Sequence, residues 1–167
     1  MDDFIRENTK IETVSIKIKS IKSKKVIQPP FSPYEGNSPD IFICYSHKNK
    51  TVIYEELKWY YDLGYKTWYD EGISPTTHWL SILPQKIFNS KLFVIYLSIY
   101  SIKSEIIRRE LTYASTHNKT ILPIFLENLK LPEDFDFILG PIQGIMKYNM
   151  EESRYRAKII KTLRDIL

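Results

Sequence analysis

Two glutamates on one helical stretch, Glu105 and Glu110, differ in what their own helix offers them. Glu105 has Arg108 and Arg109 three and four positions on, the spacing of a surface ion pair. Glu110 has Ile106, Ile107, Tyr113 and Ala114 at those spacings, so its helix supplies no basic partner. It also borders the stripe Ile107, Leu111, Ala114, which is expected to face the core. A carboxylate at the edge of an apolar face, just past a strand's carboxyl end, is a candidate for chemistry. On this helix alone, the simpler reading is that Glu110 reaches a cation on another element or sits in water. Elsewhere chemistry-bearing residues are sparse. The lone Cys44 cannot form an internal disulfide, and no Cys/His cluster has the spacing of a zinc site.

The elements that position these residues come from a chain of 167 residues, most simply one domain with a proper core. With 43% hydrophobic and 26% charged residues, the composition is that of an ordinary globular protein. Only 5 glycines and no Gly-x-Gly argue against a glycine-rich phosphate cradle. No apolar run is long enough to span a bilayer, and Met1-Asp2-Asp3 does not open a signal peptide, so a cytoplasmic protein without membrane contact is expected. The net charge of +4 is modest and concentrated near Lys22, Lys24 and Lys25, which gives little basis for nucleic-acid binding.

Residues 1–38 differ from the rest. Val14, Ile16 and Ile18 alternate with polar residues, a strand-like period of two, and prolines follow at 29, 30, 33 and 39. A partly ordered arm or linker is expected there. From residue 39 a regular domain follows. Ile41–Tyr45 is a continuous apolar run, as in a strand buried on both faces. Ile53, Leu57, Tyr60 and Tyr61 recur at helical spacing, and Gly64 sits where a helix stop is expected. Lys66–Tyr69 reads as a second strand. A helix over Leu80, Leu83 and Ile87 follows, kinked or started by Pro84. Lys91–Leu97 is a third strand, then comes the helix of Glu105 and Glu110. Thr120–Leu126 is a fourth strand, edge-like or irregular because of Pro123. Residues 131–139 fit a short helix, and Ile142–Tyr148 a fifth strand. The last helix, starting near Asn149, carries a stripe of Ala157, Ile160, Leu163 and Leu167. Alternating strands and helices imply an α/β, three-layer, flavodoxin-like fold with a central, mostly parallel five-stranded sheet. Ligands in such folds sit outside the carboxyl ends of the strands, where strand order reverses.

Several of these segments resemble one family. Asp40-Ile41-Phe42-Ile43-Cys44-Tyr45-Ser46-His47 resembles the opening strand of a TIR (Toll/interleukin-1 receptor) domain. Gly64–Glu71 resembles its second strand, and Ile73-Ser74-Pro75 with Trp79 its BB loop and next helix. Ser90–Ser98 resembles the third strand. Ser104 with Glu110-Leu111 is similar to the family's Ser-x-Trp-Cys-x-x-Glu-Leu motif, and Ile121–Ile124 to its Pro-containing fourth strand. The resemblance spans about residues 38–167. The Trp-Cys pair of the motif is Ile106-Ile107 here, and the glycine that commonly follows the loop proline is Thr76.

TIR domains are either scaffolds that signal by assembly or enzymes that cleave the nicotinamide–ribose bond of NAD+. The stand-alone construction resembles bacterial NAD+-cleaving TIR proteins of anti-phage defence. The resemblance implies Glu110 as the catalytic carboxylate and NAD+ as substrate, with no metal and no resident cofactor. It implies substrate-binding positions at Tyr45, Ser46, His47, Trp68, Asp70, Trp79, Ser104 and Ile106. Four of these also have a plain structural role: a solvated turn for His47, a loop cap for Asp70, core packing for Trp79, a helix cap for Ser104. Trp68 and Tyr69 alternate, so one is expected in the core and one in the cleft. Homo-oligomerisation through TIR–TIR contacts, including loop 70–78, and a separate effector that senses the nucleotide product are further implications. The alternative is a non-catalytic TIR adaptor or mimic acting through the same contacts.

Overall fold

A computed structural model of the chain describes residues 27–71 and 77–167, with the side chains of residues 77–80 outside that description. The strand-like alternation of residues 14–18, the core of loop 70–78 and the Trp79 side chain therefore lie outside it.

Five strands form one sheet: β1 (Ile41–Cys44), β2 (Thr67–Tyr69), β3 (Leu92–Leu97), β4 (Thr120–Phe125) and β5 (Ile145–Met146). Their order is β2-β1-β3-β4-β5 and every pairing is parallel. Five α-helices connect and follow them: α1 (Lys50–Asp62), α2 (Thr77–Asn89), α3 (Glu105–Thr116), α4 (Glu133–Leu139) and α5 (Glu152–Ile166). This is the flavodoxin-like order, in which the chain goes one way from β1 to β2 and the other way to β3 and beyond.

Period-two alternation sorts the strand side chains into two cores. Ile41, Ile43, Tyr69, Val94 and Ile124 meet α1 and α5, while Phe42, Cys44, Trp68, Phe93 and Ile95 meet α2, α3 and α4. Both faces are covered, which explains why β1 and β3 read as unbroken apolar runs. Each large side chain so buried contributes roughly 1.5–3 kcal/mol.

Some expectations need correction. Trp68 and Tyr69 are both core residues, one on each face, because the helices leave neither face of β2 for a cleft. Of the two places open to Pro84, within the helix or at its start, it takes the one within α2. β4 is an interior strand only at Ile124 and Phe125, where β5 pairs with it; Pro123 lies in the edge-like earlier part, which has β3 as its single neighbour, as its sequence implies. On α1 the buried face is Ile53, Tyr54, Leu57 and Tyr60, and Tyr61 is exposed. On α5 the buried stripe is Tyr155, Ile159 and Leu163, with Ala157 exposed. Gly64 does end α1, at φ +87°, a conformation that only glycine adopts freely.

The inward turn of Tyr155 on α5 has a polar cause. Glu56 is 1% exposed and lies on the inner face of α1. Its carboxylate accepts from Tyr155 Oη (2.8 Å), Tyr96 Oη (3.3 Å) and Arg156 Nη1 and Nη2 (2.8 and 3.0 Å), with Lys147 Nζ at 3.1 Å. Tyr155 therefore turns inward to donate to Glu56, and the last helix is held to the first. Before β1, residues 31–36 run along the outer edge of β2. Tyr34 N–H donates to Thr67 O at 2.9 Å, Phe31 stacks on Tyr61, and Lys86 Nζ donates to the carbonyls of Glu35 and Gly36.

Candidate functional site

The carboxyl ends of β1 and β3 diverge at the point where strand order reverses, and a cleft of about 400 Å3 opens there. One wall is the segment after β1. Ser46 caps a single 3-10 turn at His47–Asn49, its Oγ accepting from Lys48 N–H. The opposite wall is the loop from β3 into α3, built around two buried serines. Ser98 Oγ accepts from the N–H groups of Tyr100 and Ser101, and Ser101 Oγ accepts from Ser98 N–H. Ser98 Oγ also donates to Asn49 Oδ1 at 2.7 Å, tying the two walls together. Lys48 Nζ lies 5.0 Å from the Tyr100 ring centroid, linking them again at the mouth.

The root of loop 70–78 enters from β2. Tyr45 Oη donates to Asp70 O at 2.8 Å, and Lys50 Nζ donates to Glu71 O at 3.4 Å. His47 Nε2 lies 3.1 Å from Asp70 Oδ2, and the His47 ring stands edge-on to Tyr45. Burial pushes the Tyr45 phenol well up, so Tyr45 acts here as a hydrogen-bond donor rather than a base.

Glu110 forms the inner end. It is only 8% exposed, and among the described residues it has no ion pair to Lys, Arg or His. Burial pushes its carboxyl up to about 7; a hydrogen bond from the Cys44 thiol opposes the rise, and the negative charge of Asp70 adds to it. Burial also holds Cys44 well above the usual thiol range, so it stays protonated as a donor. Glu105, by contrast, is exposed and faces Arg108 (3.5 Å) and Arg109 (3.6 Å), the surface pairs expected from its spacing.

Tyr45, Ser46, His47, Asp70, Ser104, Ile106 and Glu110 all line this cleft. Ser104 also caps α3, its Oγ accepting from Ile107 N–H at 3.4 Å. Trp68 is not among the lining residues. It stacks on Phe42 at 4.9 Å and borders a separate hollow formed with residues 32–35. Reasoning from residue types overlooked Lys48, Tyr100 and Lys103, which also line the cleft. The signal was available, since all three follow strands at their carboxyl ends. The outcome is a polarised cleft, with a carboxyl poised near neutrality and Asp70 inside and two lysines toward the mouth. A carboxylate so placed can stabilise positive charge that develops on a bound substrate, and the lysines suit an anionic group farther out. Among the described residues no group of three or more His, Cys, Asp or Glu side chains is arranged to hold a metal, and no helix is long and apolar enough to cross a membrane.

The family model described as TIR domain matches residues 41–162. Three solved structures share the fold. The TIR domain of the Toll-related receptor TRR-2 from Hydra magnipapillata matches with a TM-score of 0.63 and 17% identity, over 76% of this chain and 99% of that one. The TIR domains of the Roq1 resistosome, which recognises the effector XopQ, match at 0.58 and 18%, over 75% and 99%. A TIR-STING receptor from C. gigas matches at 0.55 and 21%, over 75% of this chain and 40% of that one. No curated protein matches the chain.

Proposed function

The chain belongs to the TIR-domain family, and we propose that it cleaves the nicotinamide–ribose bond of NAD+ with Glu110 as the catalytic carboxylate. The observation that carries this reading is a carboxyl buried at the switch point of a parallel sheet, lining a cleft and lacking a cationic partner among the described residues. A surface or structural glutamate has no reason to be held in that state, whereas a site that must stabilise a transient cation does.

The bond from the ribose anomeric carbon to the ring nitrogen breaks with its electron pair going to nicotinamide, which leaves neutral. Positive charge is left on the ribose, an oxocarbenium-like state akin to that of glycoside cleavage. Ionised Glu110 stabilises that charge and accepts hydrogen bonds from ribose hydroxyls. Water or an internal nucleophile of the ADP-ribose then bonds to the anomeric carbon and loses a proton to solvent, giving ADP-ribose or a cyclic isomer. His47 with Asp70 and Ser104 contact the substrate, and Lys48 and Lys103 face its diphosphate. Assembly through TIR–TIR contacts that include loop 70–78 completes the site, and a separate effector reads the product, in keeping with a cytoplasmic role in anti-phage defence.

A second reading is favoured by Ile106, which is 44% exposed where the family motif has tryptophan. On it the chain is a non-catalytic adaptor that docks another TIR domain through loop 70–78. Incubating concentrated protein with NAD+ and following nicotinamide separates the two. The enzyme releases nicotinamide, and Glu110→Ala abolishes release. The adaptor releases none, and substitutions in residues 70–78 abolish its pull-down of a TIR partner while Glu110→Ala does not.

A further inference from the structure

A hollow of about 460 Å3 lies at the amino end of β2, away from the cleft, and the two share no lining residue. Its walls join segment 31–36 to the end of α1 and the turn into β2, and include Phe31, Tyr34, Tyr61, Tyr65, Lys66 and Thr67. They are preformed, because segment 31–36 is fastened along its length. Tyr34 N–H donates to Thr67 O, Tyr69 Oη donates to Phe31 O, and Lys86 Nζ donates to Glu35 O and Gly36 O. Gly36 leaves room for the Tyr34 ring, which any side chain at that position would meet. The volume falls within the roughly 300–1,000 Å3 of small-molecule sites.

Four of these side chains are aromatic and one is a cation. The Phe31 and Tyr61 rings stack with centroids 4.6 Å apart, yet Tyr61 is 58% exposed, so the stack has an open outer face. Such a stack accepts a further planar ring, since every aromatic guest offers a π face. Lys66 Nζ lies 5.5 Å from the Tyr34 ring centroid and has no ion pair among the described residues. The Asp40 carboxylate is already taken by Lys91 Nζ at 2.8 Å and by the Lys66 backbone N–H at 3.0 Å. No carboxylate lines the hollow, so it favours an anion over a cation. We propose that this hollow binds a planar aromatic ring that carries an anionic group, as a nucleoside monophosphate does, with the ring on Tyr61 and the anionic group on Lys66. One stacking platform and one cation suit a single nucleotide rather than a strand, which needs successive platforms. Phe31 belongs to the wall and accepts from Tyr69, the last residue of β2, so a guest clasps segment 31–36 to the sheet edge. Binding here is independent of the reaction in the cleft.

Amide NMR of the full chain, titrated with AMP, adenosine, inorganic phosphate and oligoadenylate, tests it. AMP is expected to shift the Gly64 and Lys66 amides saturably. It should bind there about tenfold more tightly than adenosine or phosphate alone, because only AMP engages ring and cation together. Tyr61→Ala and Lys66→Ala, both changes of exposed side chains, each weaken AMP about tenfold, and Lys66→Ala brings AMP and adenosine to equal affinity. Absence of saturable shifts at Gly64 and Lys66 overturns the proposal, as does equal affinity of the wild-type protein for AMP and adenosine. The Ser46 and Ser104 amides report the cleft separately, so AMP binding seen only there also overturns it. A Tyr61→Ala protein that binds AMP as wild type does refutes the stacking platform. Oligoadenylate binding at these amides more tightly than AMP overturns the assignment to a single nucleotide.

Discussion

Replacing Glu110 with glutamine should make the protein more stable at pH 8. The Glu110 carboxyl is raised from 4.5 to about 7 by burial, so the folded state holds its proton more tightly than the unfolded chain does. A group raised in this way contributes stability that is fully present below pH 4.5 and is lost as pH rises through about 7. The difference of about 2.5 pH units, at 1.36 kcal/mol each, corresponds to roughly 3 kcal/mol of destabilisation at pH 8. Glutamine keeps the shape without the charge and escapes that penalty. For a chain of this size the gain corresponds to a rise of roughly 6–12 °C in Tm. Urea unfolding of wild type and Glu110→Gln at pH 4, 6 and 8 reads the effect directly, because the difference between the two proteins cancels the other titrating groups. The gap should be near zero at pH 4, open through pH 6 and reach about 3 kcal/mol at pH 8. A Glu110→Gln protein that is equally or less stable at pH 8 would refute the reasoning, since it would mean that the carboxylate is paired in the folded state.

Three other perturbations follow from the same contacts. Cys44→Ala removes the thiol hydrogen bond that holds the Glu110 midpoint down, so carboxyl 13C NMR should show that midpoint moving above its wild-type value. Glu56→Ala leaves Arg156 and Lys147 with Glu152 as their remaining carboxylate and takes the buried carboxylate acceptor from Tyr96 and Tyr155; denaturant unfolding should register a loss of about 2 kcal/mol or more, with no specific change in the cleft. Gly64→Ala meets no atom within 4 Å, so its cost is purely conformational, about 1 kcal/mol by thermal unfolding.

Much of the architecture was legible because both signals behind it are local. Buried parallel strands appear as short apolar runs, and Gly64 marks a helix end that needs positive φ. What was not legible depended on partners distant in the chain. Tyr155 reads as a surface residue until Glu56, 99 positions earlier, supplies an acceptor for its hydroxyl. Glu56 itself could have been noticed as a charge on the buried stripe between Ile53 and Tyr60. On the site, Glu110 stood out by lacking a helical partner, and the structure adds why that matters: no cation from another described element reaches it either. Alternation implies that one of Trp68 and Tyr69 faces a cleft only if one face of the sheet is open; covered on both faces, the sheet turns the alternation into core against core, and Trp68, a substrate-binding position by resemblance, packs in the core. Lys48, Tyr100 and Lys103 carry no motif, and only their place after β1 and β3 brings them to the mouth.

The proposed NAD+ cleavage requires Glu110, titrating near neutrality, to be ionised. The most direct measurement is the pH dependence of nicotinamide release by concentrated protein from pH 5 to 9. The rate should climb about tenfold per pH unit at the acid end and level off above about pH 7, where the carboxylate is formed. A rate that is flat or falls through that range, or no release at any pH, would contradict it.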